Sequence, residues 1–268
     1  MRFFFSIAIF FYFFLFPIIF TTITHGTIFE IHNNCRDTVW AAAIPGGGRQ
    51  LNTNQSWIMN LKPNIPQQGQ IWARTNCSFS KSGHGTCDSG DCNGQLQCKS
   101  NGTSPYTLVG YSLNQINNDR NFVHLSLVNG FNLGMDIIPI LSESDDSSRE
   151  IRCRADINTN CPDTLKVPGG CKDPCAAYDD CSGPTPETNF FKQSCPDAYS
   201  YPSEQDHAIN YSYPRTTNYR IVFCPGEATL RHSYITYKAL HPNRPACNSS
   251  YRSYTINCLP PTPHPPPP

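Results

Sequence analysis

Hydrophobic and polar residues alternate with a period of two in several short stretches of the chain. Phe29 and Ile31 alternate with Glu30 and His32, Ile71 and Ala73 with Trp72 and Arg74, and Tyr219, Ile221 and Phe223 with Arg220 and Val222. Side chains on a strand point to opposite faces in turn, so this pattern predicts half-buried β-strands. Phe122 to Val128 and Phe131 to Ile138 flank Asn129-Gly130, a pair suited to the positive φ angles of a tight hairpin turn, and predict a β-hairpin. Helical periodicity is scarce. The best short candidate is Thr188 to Gln193, with Phe190 and Phe191 as its core anchors.

The first residues break the pattern. After Met1 and Arg2 an apolar run extends from Phe3 to Phe20, followed by small or polar residues up to Gly26. A positive start, an apolar middle and a cleavage-prone end predict a signal peptide over residues 1–26, an exported mature chain and no stable membrane span once it is removed.

Three further zones are poor in strands: Asn76 to Thr103, Cys153 to Cys195, and the tail beyond Cys224. The chain holds 24 prolines and 17 glycines, which favour loops and turns over long helices. Its 14 cysteines all lie between Cys35 and Cys258, and an even count in an exported chain predicts a disulfide framework. No pair is spaced C-x-x-C, and His84 is the only histidine close to a thiol cluster, so neither a metal site nor redox catalysis is expected, and no cofactor. The tail ends in a proline-rich run to Pro268 and reads as a solvated, polyproline-like end. Formal charge is balanced, 20 bases against 20 acids, which predicts no nucleic-acid partner.

Motifs spread over most of the mature length carry a resemblance. Gly83-His84-Gly85-Thr86-Cys87-Asp88-Ser89-Gly90-Asp91-Cys92, with Gly94 and Cys98, resembles the signature of the plant thaumatin-like family, whose members include pathogenesis-related and osmotin-like proteins. So do Thr38 to Ala43, Ile71 to Cys77, Val167 to Cys171, Cys195 to Pro202 and Asn218 to Pro225, in the family's order and spacing. The resemblance implies a mainly-β fold, a flattened β-sandwich of about eleven strands with two disulfide-rich satellite lobes. The implied domains are a sandwich at 27–75, 106–154 and 196–225, a small lobe at 76–105, a larger lobe at 155–195, and a C-terminal extension at 226–268.

Carried over, the family's pattern pairs Cys35 with Cys224, Cys77 with Cys87, Cys92 with Cys98, Cys153 with Cys195, and Cys161 with Cys171. Two empty family positions, Ser148 and Tyr213, are partners of each other in the family, so a whole bridge is absent. Cys175 with Cys181, and Cys247 with Cys258 in the extension, complete seven expected bonds.

In antifungal relatives a cleft between sandwich and larger lobe carries one arginine and four carboxylates and is linked to β-1,3-glucan binding. At those positions this chain has Gln70, Gly110, His124, Asn129 and Glu204, so one carboxylate survives, with Asp206 close by and Asp136 expected to lend negative charge. A glycosidase needs two carboxylates flanking the scissile bond, and that pair is missing, so no enzyme is expected beyond a weak β-1,3-glucanase. His124 is a candidate pH-responsive group, with a plain sheet-surface substitution as the simpler reading. Asp88, Asp91, Asp179 and Asp180 read as turn residues, and Glu143, Asp145 and Asp146 as a solvated acidic loop.

Glycosylation sequons occur at Asn54, Asn101, Asn210 and Asn248; a further one at Asn76 encloses Cys77. The expectation is a secreted, monomeric, non-catalytic defence or stress-response protein of the apoplast or cell wall, with the vacuole as the alternative. It would bind a fungal or cell-wall glycan, or else act as an inhibitor or protein-interaction module.

Overall fold

The computed structural model describes residues 26–63, 65, 67–114, 120–140, 149–176, 178, 181–207 and 211–226. Alternating burial organises them into two sheets. One sheet contains β1 (Ile28–Asn33), β4 (Ser56–Asn60), β10 (Met135–Ile140), β11 (Ile151–Cys153) and β16 (Asn218–Phe223), in the order β11-β10-β16-β1-β4. The other contains β2 (Val39–Ile44), β3 (Gly47–Leu51), β5 (Gln67–Arg74), β8 (Leu108–Leu113), β9 (Arg120–Ser126) and β14 (Ala198–Tyr199), in the order β14-β9-β8-β5-β2-β3. Here β15 (Ser212–Pro214) adds to β9 as a seventh strand. Pairing is antiparallel except for β1 with β16 and β14 with β9. The sheets thus hold twelve strands, and two short ribbons stand apart: β6 (Ser78–Phe79) with β7 (Gly85–Thr86), and β12 (Lys166–Val167) with β13 (Gly170–Cys171).

The inward residues of both sheets meet in one core. Phe29 stacks on Tyr219 with ring centroids 5.0 Å apart and tilts against Tyr111 at 4.9 Å. Ile71, Val109 and Leu125 close on them from the seven-stranded sheet. Each such side chain contributes about 1.5–3 kcal/mol by leaving water.

The hairpin expected around Asn129-Gly130 does not form, although both strands do. β9 belongs to the seven-stranded sheet and β10 to the five-stranded one, so the turn carries the chain from one layer to the other. Only Gly130 has a positive φ (86°), and its N–H donates to Leu127 O at 2.9 Å. Each flanking strand finds better partners elsewhere: β9 pairs with β8, and β10 with β16.

The helix α1 (Pro186–Ser194) is longer than its apolar core suggests because its start is capped. Thr185 Oγ1 accepts from Thr188 N at 3.1 Å while Thr188 Oγ1 accepts from Thr185 N at 2.7 Å, a reciprocal cap built from two threonines. Phe191 is fully buried and Phe190 packs edge-on against it.

Six disulfides tie the described residues: Cys35–Cys224, Cys77–Cys87, Cys92–Cys98, Cys153–Cys195, Cys161–Cys171 and Cys175–Cys181. Cys247 and Cys258 lie outside the described residues, as do residues 1–25, the acidic loop at Glu143, Asp145 and Asp146, Ser148, Asp179, Asp180, Asn210 and Asn248. At Tyr213 the phenol donates to Arg149 O at 2.8 Å and the ring packs edge-on against Tyr219 at 5.5 Å. A buried aromatic wedge and one hydrogen bond therefore occupy that position.

A second cluster lies on the other face of the seven-stranded sheet. Ala42, Trp72 and Leu108 pack there against Cys92, Cys98 and Tyr106, so the small lobe sits on the sandwich. Arg74 fastens it. Its side chain is fully buried, and the guanidinium donates to Trp40 O, Ala41 O, Gln95 O and Leu96 O at 2.8–3.3 Å, joining β2 to the lobe. Burial without a contacting carboxylate pulls this arginine down to about 10, with Asp91 opposing the shift from a distance.

Candidate functional site

The outer face of the seven-stranded sheet is read in cross-strand rows. Trp72 on β5 pairs with Leu108 on β8, which pairs with Ser126 on β9, and this row lies at the small lobe. Two residues along each strand, Gln70 pairs with Gly110, and Gly110 with His124. Three positions drawn from between residues 70 and 124 of the chain are therefore adjacent on one face.

Gly110 and His124 fit each other as a pair. A side chain at residue 110 would place its Cβ inside the van der Waals envelope of the His124 ring, closer to Cε1 and Nε2 than real Cβ atoms come. The imidazole fills the space over β8 that a larger residue there would need. On its other side it packs against Tyr199 of β14, with ring centroids 5.2 Å apart. Gln70 completes the row, its Oε1 buried with no hydrogen-bond partner among the described residues.

His124 is half-buried, and loss of solvent pushes its pKa from the ordinary 6.5 down to about 4. It is neutral through the range in which it was expected to respond, because no acidic partner compensates for desolvation of the imidazolium. The folded base is depressed, so between pH 6.5 and 4 the unfolded chain binds a proton that the folded one refuses. Stability is complete above pH 6.5 and falls as the pH drops toward 4. His124→Gln is expected to remove about 2 kcal/mol of the loss between pH 7 and pH 4.5, allowing for partial exposure, as read by denaturant unfolding at the two pH values.

Glu204, in a 3-10 turn at Pro202–His207, reaches the same neighbourhood through Tyr199, whose phenol is pushed up by burial and by the Glu204 charge. Its carboxylate is committed. Oε2 accepts from Ser200 N at 2.7 Å and from Ser200 Oγ at 2.9 Å, and Oε1 pairs with Lys192 Nζ of α1 at 2.5 Å. Burial raises its pKa, but the hydrogen bonds from Lys192 and Ser200 and the lysine's charge together outweigh burial and hold the carboxyl below its ordinary value. The one carboxylate retained at the five positions is neutralised by a lysine and serves to pin the turn to the helix.

The remaining positions fall elsewhere. Asn129 lies in the turn after β9, where its carbonyl accepts from Tyr106 N at 3.0 Å, and the structure shows no side-chain link from it to the row. Asp136, expected to lend negative charge, does not do so. It lies on β10 in the opposite sheet, fully buried and ion-paired with Arg154, and its pKa is raised chiefly by burial. Asp91 closes a lobe turn by accepting from Gly94 N at 2.7 Å and Cys87 N at 3.0 Å, and Asp88 accepts from Asn76 Nδ2 at 2.5 Å. Tyr199 and Ser200 lie within the Cys195 to Pro202 motif and Lys192 within the helix candidate, yet nothing in the sequence marks the three as residues that shape the site.

Among the described residues no group of His, Cys, Asp or Glu is arranged to hold a metal ion, and no helix is long and apolar enough to cross a membrane. The architecture is that of a disulfide-stapled β-sandwich protein with a lobe fastened to one sheet and an uncharged row on that sheet's outer face. Residues 33–225 match the thaumatin family, and the chain belongs to it. It is 46% identical over 213 residues to a thaumatin-like protein of Actinidia deliciosa, covering 76% of this chain and 92% of that one. It is also similar to the solved structures of a thaumatin-like xylanase inhibitor and of a protein elicitor from Magnaporthe oryzae. The first is 23% identical with a TM-score of 0.44, covering 74% of this chain and 99% of the inhibitor. The second is 16% identical with a TM-score of 0.37, covering 75% of this chain and 100% of the elicitor. Residues 225–266, the stretch read above as an extension, match a second family, the Rapid ALkalinization Factor.

Proposed function

We propose that the thaumatin domain is a secreted, non-catalytic binding module of the plant defence and stress-response type, which recognises an uncharged glycan of the β-1,3-glucan class. The observation carrying this reading is the neutral row of Gln70, Gly110 and His124 beside Tyr199, on a family scaffold whose relatives use the same positions with charge. Hydrolysis is disfavoured because acid and base roles need two free carboxylates, whereas Glu204 is bound to Lys192. Six disulfides, and an apolar run after Arg2, support export to the apoplast or wall.

The second family match favours a second role, for residues 225–268. We infer that this segment is a rapid-alkalinization-factor module carried by a thaumatin domain. The balanced total charge conceals a division that agrees with it. Beyond Cys224 there is one acid, Glu227, against the four bases Arg231, Lys238, Arg244 and Arg252, while the residues before it, from Thr27 on, are net acidic. A basic segment favours acidic partners, and an acidic domain does not.

One paired experiment tests both roles: the full mature chain and a chain ending at Gly226 are compared for retention on insoluble β-1,3-glucan, release of soluble sugar from it, and the external pH of plant cell suspensions. Both chains are expected to be retained without sugar release, and only the full chain to raise the pH. Absence of retention refutes the glycan reading, sugar release refutes the non-catalytic one, and an unchanged pH refutes the role of the segment.

A further inference from the structure

β4 ends the five-stranded sheet. Asn33 N donates to Gln55 O and Leu61 N to Thr27 O, both at 2.9 Å, so the odd-numbered residues of β4 face β1. The N–H and C=O groups of Ser56, Ile58 and Asn60 therefore point to the free side, and none pairs with a described residue. The strand, Ser-Trp-Ile-Met-Asn, has no charge and no proline, the usual devices that keep an edge from pairing with another chain. Ile58 is 51% exposed, and Ile65 just beyond is 50% exposed. The edge is self-complementary: in antiparallel pairing about a twofold axis Ile58 meets Ile58 of a second copy, and Ser56 meets Asn60.

The chain carries a different device beside this edge. Asn54-Gln55-Ser56 is a sequon, and Asn54 lies in the exposed turn leading into β4 at φ 63°; its backbone N donates to Asn33 O at 2.8 Å, while its side-chain Nδ2 makes no hydrogen bond to a described residue. The Asn76 sequon is unsuitable, because Asn76 Nδ2 is held by Asp88 and Cys77 lies in a disulfide. Asn101 is exposed but belongs to the small lobe.

We propose that Asn54 is an N-glycosylation site whose glycan covers the β4 edge and prevents the protein from pairing with a second copy of itself. The inference rests on the export proposed above. In the modification Asn54 Nδ2 forms a bond to C1 of an oligosaccharide carried on a lipid pyrophosphate. The C1–O bond breaks, the lipid pyrophosphate leaves, and the amide gives up one proton. A five-residue strand spans about 17 Å, within reach of a branched glycan rooted two residues before its first unpaired group.

The full chain, secreted from plant cells, is mapped for glycan occupancy, and its molar mass is measured by light scattering beside Asn54→Gly and Asn54→Gly/Ile58→Lys. Glycine suits the left-handed backbone at residue 54 and adds no charge. The expected results are an occupied Asn54, a monomeric natural protein, a doubling of molar mass for the single variant and return to monomer for the double one. An unmodified Asn54 beside a glycosylated Asn101, a dimeric natural protein, or a monomeric Asn54→Gly would each overturn the proposal. If neither asparagine is modified in the secreted protein, the proposal falls while the export reading stands; if no protein is recovered outside the cells, the export reading falls and takes the proposal with it.

Discussion

Replacing Arg74 by alanine is expected to cost about 3–5 kcal/mol of stability and to free the small lobe from the sandwich. The guanidinium is fully buried and bonds to four carbonyls, two on β2 and two in the lobe, so its loss leaves buried acceptors unpaired and opens a void beside Trp72. Phe79, whose ring lies 5.3 Å from the guanidinium carbon, loses its cationic neighbour as well. Arg74→Lys is expected to recover less than half, because one ammonium cannot reach both the strand and the lobe as the planar fork does. Denaturant unfolding under oxidising conditions gives the global loss. Limited proteolysis locates it, with new cleavage confined to residues 76–105 if the lobe separates first. An unfolding free energy within 1 kcal/mol of the natural protein's would show that the carbonyls find other donors.

The second large effect lies at the row on the outer sheet face. Gly110→Glu alone is expected to destabilise the protein by about 2–4 kcal/mol, because its Cβ would collide with the His124 ring between paired strands. Gly110→Glu combined with His124→Asp removes the ring and is expected to regain most of that loss, a coupling that a double-mutant cycle reads directly. The pair thus behaves as one unit, and a charged row can be restored only by changing both residues. The restored protein also tests the binding reading. Unchanged retention on insoluble β-1,3-glucan would mean that recognition lies away from this row, and weakened retention would mean that the neutral row makes the contact.

Much of the fold was legible in the sequence because its physics is local. Alternation at Phe29 to His32 and at Tyr219 to Phe223 marks strands because each has one face in the core, and Phe190-Phe191 marks a helix with a buried side. The hairpin failed for the same reason. Asn129-Gly130 specifies a turn, but which strands then pair depends on distant residues, and β9 and β10 pair with β8 and β16.

The candidate site shows the boundary most clearly. The identities of Gln70, Gly110, His124 and Glu204, and the loss of charge they imply, stand in the sequence, as do the apolar leader run, the even cysteine count and the basic end of the chain. Only the folded structure shows that His124 occupies the space left by Gly110, that Lys192 neutralises Glu204, and that Asp136 faces Arg154 in the other sheet. Those outcomes depend on desolvation and on contacts between residues far apart in the chain, neither of which leaves a period or a motif in the sequence. Composition and pattern set which groups are present, and packing set which of them keep their charge.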